Sequence, residues 1–415
     1  MHALFQNGGF RRLWVSQVVL ALGDACLRMG LLEIFLRCQL DREVETAKMF
    51  FALALPGLLL GPFAVVHVDR WQRRSLMMAS DAVRMLLLGA MVWWLWQATG
   101  QDGTPASLGW VSLLIFLIGV IVTFYLPARY ALMPNLVAAD DLIRANTLLT
   151  TSLAVAAVGG MPLGGWLAVR FGPLWAVAAN ALAYAVSVGL IGSIRMQPHA
   201  TRDRDKNVAP TTALRDGLRY LGRHPTALPL VLVAGAFAFL AGILIVTIVG
   251  YAEKTLELGT LGLGWLGGAA GVGAGLGVVL LGRGQRWTRS IWLPCTQLVV
   301  AGAVLGLLSL TTEPGVAVWL LMVVGAVGAT AMIPIDAKLQ EQVADEWRGA
   351  VFAARGTLTS ATMIVAFWLK FGTDVLRTTP PPTVLWWCGA GAVVVAGLTF
   401  LVLRRRTERA GRPSG

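Results

Sequence analysis

The sequence consists mainly of apolar blocks of about 20 residues separated by short polar segments. A bilayer core about 30 Å thick needs about 20 helical residues, and lipid offers backbone polar groups no hydrogen-bond partner. Each block is therefore predicted to be a helix, in an all-α membrane protein with twelve transmembrane helices. The predicted spans are residues 13–36, 46–68, 76–98, 107–128, 146–168, 174–194, 227–251, 260–281, 290–310, 316–336, 349–371 and 384–403.

The charge composition supports a membrane location. Of the 415 residues 56% are hydrophobic and 13% are charged, against roughly a quarter charged in ordinary soluble domains. The net charge of +12 is compatible with nucleic-acid binding, but most of the lysines and arginines lie in alternate loops. The positive-inside rule then places both termini in the cytoplasm, and no nucleic-acid partner is predicted.

The longest polar segment divides the blocks six and six. It predicts an N-terminal half at 1–195, a cytoplasmic linker at 196–225 and a C-terminal half at 226–415. Within the linker, leucines at helical spacing alternate with arginines, which predicts an amphipathic helix on the inner leaflet, attracted to anionic lipid. These leucines are Leu214, Leu218 and Leu221.

The two halves share a short pattern at corresponding places. The fourth block ends in Tyr125-Leu-Pro127 and the tenth in Ile333-Pro334, and each is followed by a polar stretch. A repeat of six helices related in this way predicts two pseudo-symmetric halves, an arrangement found in secondary transporters.

The first block carries polar side chains at membrane depth, where an unpaired charge is costly and indicates function. Gln17, Asp24 and Arg28 share one helical face. We predict that this face binds a zwitterionic or charged head group or switches partners during a conformational cycle; the alternative is a buried Asp24–Arg28 pair that holds the helix against its neighbours. Glu33 points away from Asp24 and is expected near a solvated outer mouth.

The loop after the second block reads Asp69-Arg70-Trp-Gln-Arg73-Arg74, with Asp81 and Arg84 following in the third block. This resembles the signature loop of the major facilitator superfamily, Asp-Arg-x-Gly-Arg-Arg. The resemblance implies the two-half fold, alternating access and a loop that locks the cytoplasmic ends of the halves; the alternative is ordinary inside charge. The gating residues predicted on this basis are Asp69, Arg70, Arg73, Arg74, Asp81, Arg84, Arg129, Asp336 and Arg355, the last expected to reach water or to meet Asp69 or Asp336.

A narrower resemblance rests on Gly23-Asp24, Pro127-Ala-Arg129-Tyr130 and Pro334-Ile-Asp336. Together they resemble the lysophospholipid transporter branch, which implies translocation of a lysophospholipid across the bacterial inner membrane, with membrane lipids as further partners. Related macrolide and siderophore exporters share the same turns. The alternative is therefore efflux of a hydrophobic drug, macrolide or siderophore, coupled to a proton or another ion.

Enzyme chemistry has little support in the sequence. The four histidines are scattered, and neither a Gly-x-Ser-x-Gly elbow nor a Gly-Lys phosphate loop occurs. A membrane-embedded enzyme is kept as a remote alternative, and no catalytic residue, metal or cofactor is predicted.

Overall fold

The computed structural model describes residues 2–38, 40–68, 71–99, 109–138, 141–194, 210–224, 226–283, 290 and 292–410. Within these ranges the regular structure is helical, with no strand. The α-helices are α1 (His2–Gln6), α2 (Gly8–Arg37), α3 (Arg42–Val68), α4 (Arg73–Thr99), α5 (Gly109–Leu132), α6 (Leu142–Arg170), α7 (Pro173–Gly192), α8 (Pro210–Arg223), α9 (Ala227–Lys254), α10 (Thr260–Arg283), α11 (Leu293–Leu310), α12 (Pro314–Gln342), α13 (Asp345–Gly372), α14 (Asp374–Thr378) and α15 (Pro381–Ala410).

Eleven helices of the described ranges are long and apolar enough to cross a membrane, namely α3 to α7, α9 to α13 and α15. Large apolar side chains on their outer faces are exposed, for example Leu86 at 65%, Trp96 at 66% and Leu310 at 74%. Water disfavours such surfaces, whereas lipid is as apolar as they are. The chain is therefore a multi-pass membrane protein. The first predicted block lies in α2, which has 30 residues and is not among the eleven.

Short breaker sequences separate the helices. Asn7 caps α2, because its side-chain oxygen accepts hydrogen bonds from the backbone N–H groups of Gly9 and Phe10 at 3.0 and 3.1 Å. Between α6 and α7, Gly172 adopts φ 104°, which a residue with a Cβ rarely tolerates, and Pro173 then begins α7. Such signals are local and readable in the sequence.

The first of two compact units comprises Met1–Glu45, Ala52–Val208 and Thr260–Gly268. In it α2 packs closely against α6 and α7, because glycines allow the backbones to approach. A Cβ at Gly164 would lie 2.5 Å from the Cα of Cys26, and one at Gly160 would lie 2.7 Å from the Cβ of Ala25. This close approach sets the position of the polar face of α2.

The second unit comprises Thr46–Phe51, Ala209–Gly259 and Ala269–Gly415. Its helix pairs include α9 with α13, α11 with α15 and α8 with α13. Small residues again allow the contact between α11 and α15, where a Cβ on Gly302 would lie 2.6 Å from the carbonyl oxygen of Gly389. The boundaries 1–195, 196–225 and 226–415 stay a prediction.

Candidate substrate site and gate residues

The carboxylate of Asp24 lies against α7. It accepts hydrogen bonds from Asn180 Nδ2 at 3.2 Å and from the Tyr184 hydroxyl at 3.1 Å. Gly23 permits this contact, because a Cβ there would lie 2.5 Å from Asn180 Oδ1 and 2.8 Å from the Cβ of Ala183. Both bonds end on Oδ1 of Asp24, and Oδ2 accepts none from the described residues.

The ion pair between Asp24 and Arg28, which was the alternative prediction, is not formed among the described residues, where no nitrogen–oxygen distance within 4.0 Å joins the two side chains. The physical reason is that Gly23 brings the neutral donors of α7 onto Asp24. Arg28 makes no hydrogen bond with a described residue, and both side chains are partly exposed. Among the described residues, a carboxylate oxygen without a hydrogen-bond donor and a guanidinium without a hydrogen bond or an ion pair therefore lie about one helical turn apart.

Asp81 and Arg84 are buried inside the first unit, at 0% and 4% exposure. They form an ion pair, and Ser187 donates a hydrogen bond to Asp81 Oδ2 at 2.6 Å. Arg84 also donates to the Tyr184 hydroxyl at 3.3 Å, and its guanidinium carbon lies 4.6 Å from the centre of the Tyr184 ring. Tyr184 therefore connects this predicted gate pair directly to Asp24.

Gln17 extends the same network on the other side. Its Nε2 donates to the Tyr125 hydroxyl, and its Oε1 accepts from Arg129 Nη1 at 3.3 Å. The Tyr125 ring in turn lies 4.2 Å from the guanidinium carbon of Arg84. The structure thus joins Gln17, Asp24, Asp81, Arg84 and Arg129 in one continuous polar network, with Arg28 beside it.

Three members of this network on α7 were missed by the sequence reasoning. Asn180, Tyr184 and Ser187 are 0%, 2% and 0% exposed. They lie at positions i, i+4 and i+7 of a helix that is otherwise mostly apolar, so they share one face. The spacing of these polar residues in the sequence could therefore have indicated a buried polar face on α7.

The structure describes some of the predicted signature-loop residues and not others. Asp69 and Arg70 lie outside the described residues. Arg73 begins α4, and Arg74 donates to the backbone carbonyls of Ile191, at 3.2 Å, and of Gly192. These carbonyls end α7, where a cation stabilises the negative end of the helix dipole.

In the second unit, Asp336 and Arg355 lie 3.2 Å apart, measured from Oδ1 to Nη2. The ion pair with Asp336, one of three alternatives predicted for Arg355, is therefore formed. Arg355 also contacts the sulfur of Met332 at 3.0 Å.

The expectation of a solvated position for Glu33 is wrong. Its exposure is 7%, because its carboxylate pairs with Arg37 at 3.0 Å and accepts from the Thr260 hydroxyl at 2.7 Å. Arg42 donates to the same hydroxyl at 3.0 Å.

These features define a class of protein: a multi-pass helical membrane protein with a charged network inside one unit, as in membrane transporters. Residues 13–367 match the model of the Major Facilitator Superfamily, and the chain belongs to that family.

Two bacterial transporters are among the relatives of this chain. An uncharacterised MFS-type transporter of Mycobacterium tuberculosis is 26% identical over 97% of this chain and 92% of its own length. The lysophospholipid transporter LplT of Escherichia fergusonii is 28% identical over 80% of both chains.

Solved structures show the same fold. A mutant of the nucleoside transporter NupG has a TM-score of 0.72 at 12% identity, covering 94% of this chain and 99% of its own. A bacterial homologue of the human lysosomal transporter Spinster, in an inward-facing state, has a TM-score of 0.69 at 14% identity, covering 95% and 96%. At these identities the likeness concerns the fold alone.

Proposed function

We propose that this chain is a secondary transporter of the bacterial inner membrane that translocates a lysophospholipid by alternating access. The proposal includes twelve spanning helices, with α2 as the first, in two six-helix halves with both termini in the cytoplasm. The alternate distribution of basic loops supports this topology. The match to lysophospholipid transporters over 80% of the chain supports the substrate class.

The observation that carries the proposal is the placement of two opposite charges, Asp24 and Arg28, close together on α2 without a direct ion pair between them. Asp24 keeps Oδ2 without a hydrogen bond from a described residue, and Arg28 forms neither a hydrogen bond nor an ion pair within 4.0 Å with one. Four residues separate them, a rise of about 6 Å along the helix. A phosphoethanolamine head group carries an anionic phosphate and a cationic ammonium, so Arg28 would take the phosphate and Asp24 the ammonium.

The buried partners prepare Asp24 for this role. Asn180 and Tyr184 hold Oδ1, which orients the carboxylate of the partly exposed Asp24 and leaves Oδ2 without a donor among the described residues. Because both donors are themselves buried, ligand binding requires no ordering of these groups. Gln17 lies on the same face and would contact the head group or hold Arg129.

We further propose that the remaining charged residues are gate residues. The Asp81–Arg84 and Asp336–Arg355 ion pairs and the hydrogen bond of Arg129 to Gln17 are contacts that a conformational switch would exchange. Asp69, Arg70, Arg73 and Arg74 belong to the signature loop and would act at the cytoplasmic ends of the helices.

The test is uptake of labelled lysolipids into proteoliposomes containing purified protein. Lysophosphatidylethanolamine carries the ammonium and lysophosphatidylglycerol does not, so the two substrates separate the roles of Asp24 and Arg28. A charge-assisted hydrogen bond contributes about 1.5–3 kcal/mol, which is about 10- to 100-fold in affinity. We expect Asp24→Asn to raise the KM for the ethanolamine lipid by this factor and to change that for the glycerol lipid less than about threefold.

Two further variants and an uncoupler serve as controls for this uptake experiment. Arg28→Gln should raise the KM for both substrates, since both contain phosphate. Asp374→Asn, on the exposed helix α14, should raise the KM for neither. Absence of uptake by well-folded wild type would contradict the lipid proposal. Uptake that stops when an uncoupler dissipates the proton gradient would instead support the ion-coupled alternative.

A further inference from the structure

The helix α8 has one face packed against protein and one exposed face with three arginines. Arg215, Arg219 and Arg223 recur every fourth residue, so they lie within about 80° around the helix axis. All three are exposed, and none forms an ion pair with a described residue. Leu218, 43% exposed, lies beside them.

The opposite face of α8 packs closely against α13. A Cβ on Gly217 would lie 2.1 Å from the carbonyl oxygen of Ala350 and 3.0 Å from the Cβ of Ala354, so the two backbones are in contact. Leu221 is 1% exposed on the same side. The orientation of the arginine face is therefore set by packing.

Aromatic stacking adds a second attachment. The Tyr220 ring stacks on Trp347 of α13 at a centroid distance of 5.8 Å and on His224 at 5.3 Å. Trp347 remains 37% exposed, and tryptophan is enriched at the membrane–water interface.

The level of α8 relative to the bilayer follows from its neighbours. The membrane-competent stretch of α9 begins at Ala227, four residues after the end of α8 at Arg223, and that of α13 begins at Ala350, which Gly217 touches. The four residue steps from Arg223 to Ala227 span at most about 14 Å. Hence α8 lies at the boundary where two helices enter the membrane, within reach of lipid head groups.

We propose that the exposed face of α8 binds the anionic phospholipid surface of the adjacent leaflet. The arginines would contact lipid phosphates and Leu218 would enter the boundary between head groups and acyl chains. Because α8 is fastened to the start of α13, anionic lipid would also stabilise the end of the helix that carries Arg355.

The test is hydrogen–deuterium exchange of the full chain in nanodiscs of phosphatidylcholine alone or mixed with phosphatidylglycerol. Each arginine near an anionic surface favours association about fivefold. We expect the amides of 214–223 to exchange at least about fivefold more slowly when phosphatidylglycerol is present, and Arg215→Gln/Arg219→Gln to remove most of this protection. The matched control Arg170→Gln/Arg377→Gln removes the same amount of charge from two exposed arginines elsewhere in the chain. This control should retain the lipid-dependent protection of residues 214–223.

Several outcomes would overturn the proposal. Equal exchange of wild type in both membranes, or unchanged protection in the glutamine pair, would refute an anionic-lipid surface. Equal protection by inorganic phosphate in phosphatidylcholine nanodiscs would show a site for free anions instead. If the glutamine pair unfolds α8 in phosphatidylcholine alone, Arg215→Lys/Arg219→Lys decides, since it retains the charge and must keep the lipid-dependent protection.

Discussion

Among the described residues, the hydroxyl of Tyr184 joins Asp24 to the Asp81–Arg84 pair by hydrogen bonds, and its removal tests this connection directly. Tyr184→Phe conserves the ring and deletes two hydrogen bonds, one donated to Asp24 at 3.1 Å and one accepted from Arg84 at 3.3 Å. Hydrogen bonds to charged groups contribute about 1.5–3 kcal/mol each.

Both bonds are longer than ideal, and both charged partners keep other contacts, so the lower end of that range applies. We expect Tyr184→Phe to lower the free energy of unfolding by about 3 kcal/mol. The measurement is denaturant unfolding in detergent micelles, followed by circular dichroism. Tyr130→Phe, which alters an exposed tyrosine, is the matched control and should change stability by less than about 0.5 kcal/mol.

A double-mutant cycle locates the effect. Tyr184→Phe and Asp24→Ala remove the two ends of one hydrogen bond, so the combined loss should fall short of the sum by about 1.5 kcal/mol. Additivity within about 0.5 kcal/mol would refute the coupling of Asp24 to Tyr184.

Three further predictions concern packing, capping and pH. Gly23→Ala should reduce the free energy of unfolding by about 1–3 kcal/mol, because its Cβ would lie 2.5 Å from Asn180, whereas Gly89→Ala, with nothing within 4 Å, should not reduce it. Arg74→Gln should lower the melting temperature through loss of about 0.5–2 kcal/mol at the end of α7. Burial lowers the pKa of His224, so the folded state favours the neutral imidazole. The contribution of His224 to the free energy of unfolding is therefore present above about pH 6.5 and is lost as the pH falls through the lowered pKa.

Controls for these predictions use the same thermal or denaturant unfolding. For His224, whose Nδ1 accepts from the backbone N–H of Ala227 at 3.3 Å, the melting difference between wild type and His224→Ala should shrink between about pH 7 and about pH 5. A difference that grows on acidification would contradict the sign. Arg12→Gln is a comparison for Arg74→Gln, since Arg12 donates to the Ser193 carbonyl just beyond α7.

The helices were largely predictable because hydrophobic length is a strong local signal. The predicted spans fall on the long helices, but the helices extend further where polar residues continue the backbone hydrogen bonding into water. Thus α12 ends at Gln342, beyond the predicted 336, and α2 begins at Gly8 after its Asn7 cap. Hydropathy locates the apolar core and not the helix end.

The candidate site was predictable only in part. Polar residues at membrane depth identified Gln17, Asp24 and Arg28, since charge is costly there. The partners of Asp24 were not identified, because they depend on which helix packs on which, and that follows from small residues such as Gly23. The alternative Asp24–Arg28 pair was inferred from spacing within one helix. Such spacing carries no information about the donors that a neighbouring helix brings to Asp24.

The most direct test of a head-group site at Asp24 is equilibrium binding of lysophosphatidylethanolamine to the purified protein, measured by calorimetry for wild type and Asp24→Asn. We expect wild type to bind and the variant to lose about 10- to 100-fold in affinity, with a much smaller loss for lysophosphatidylglycerol. Equal affinity of both proteins for the ethanolamine lipid would contradict a head-group site at Asp24.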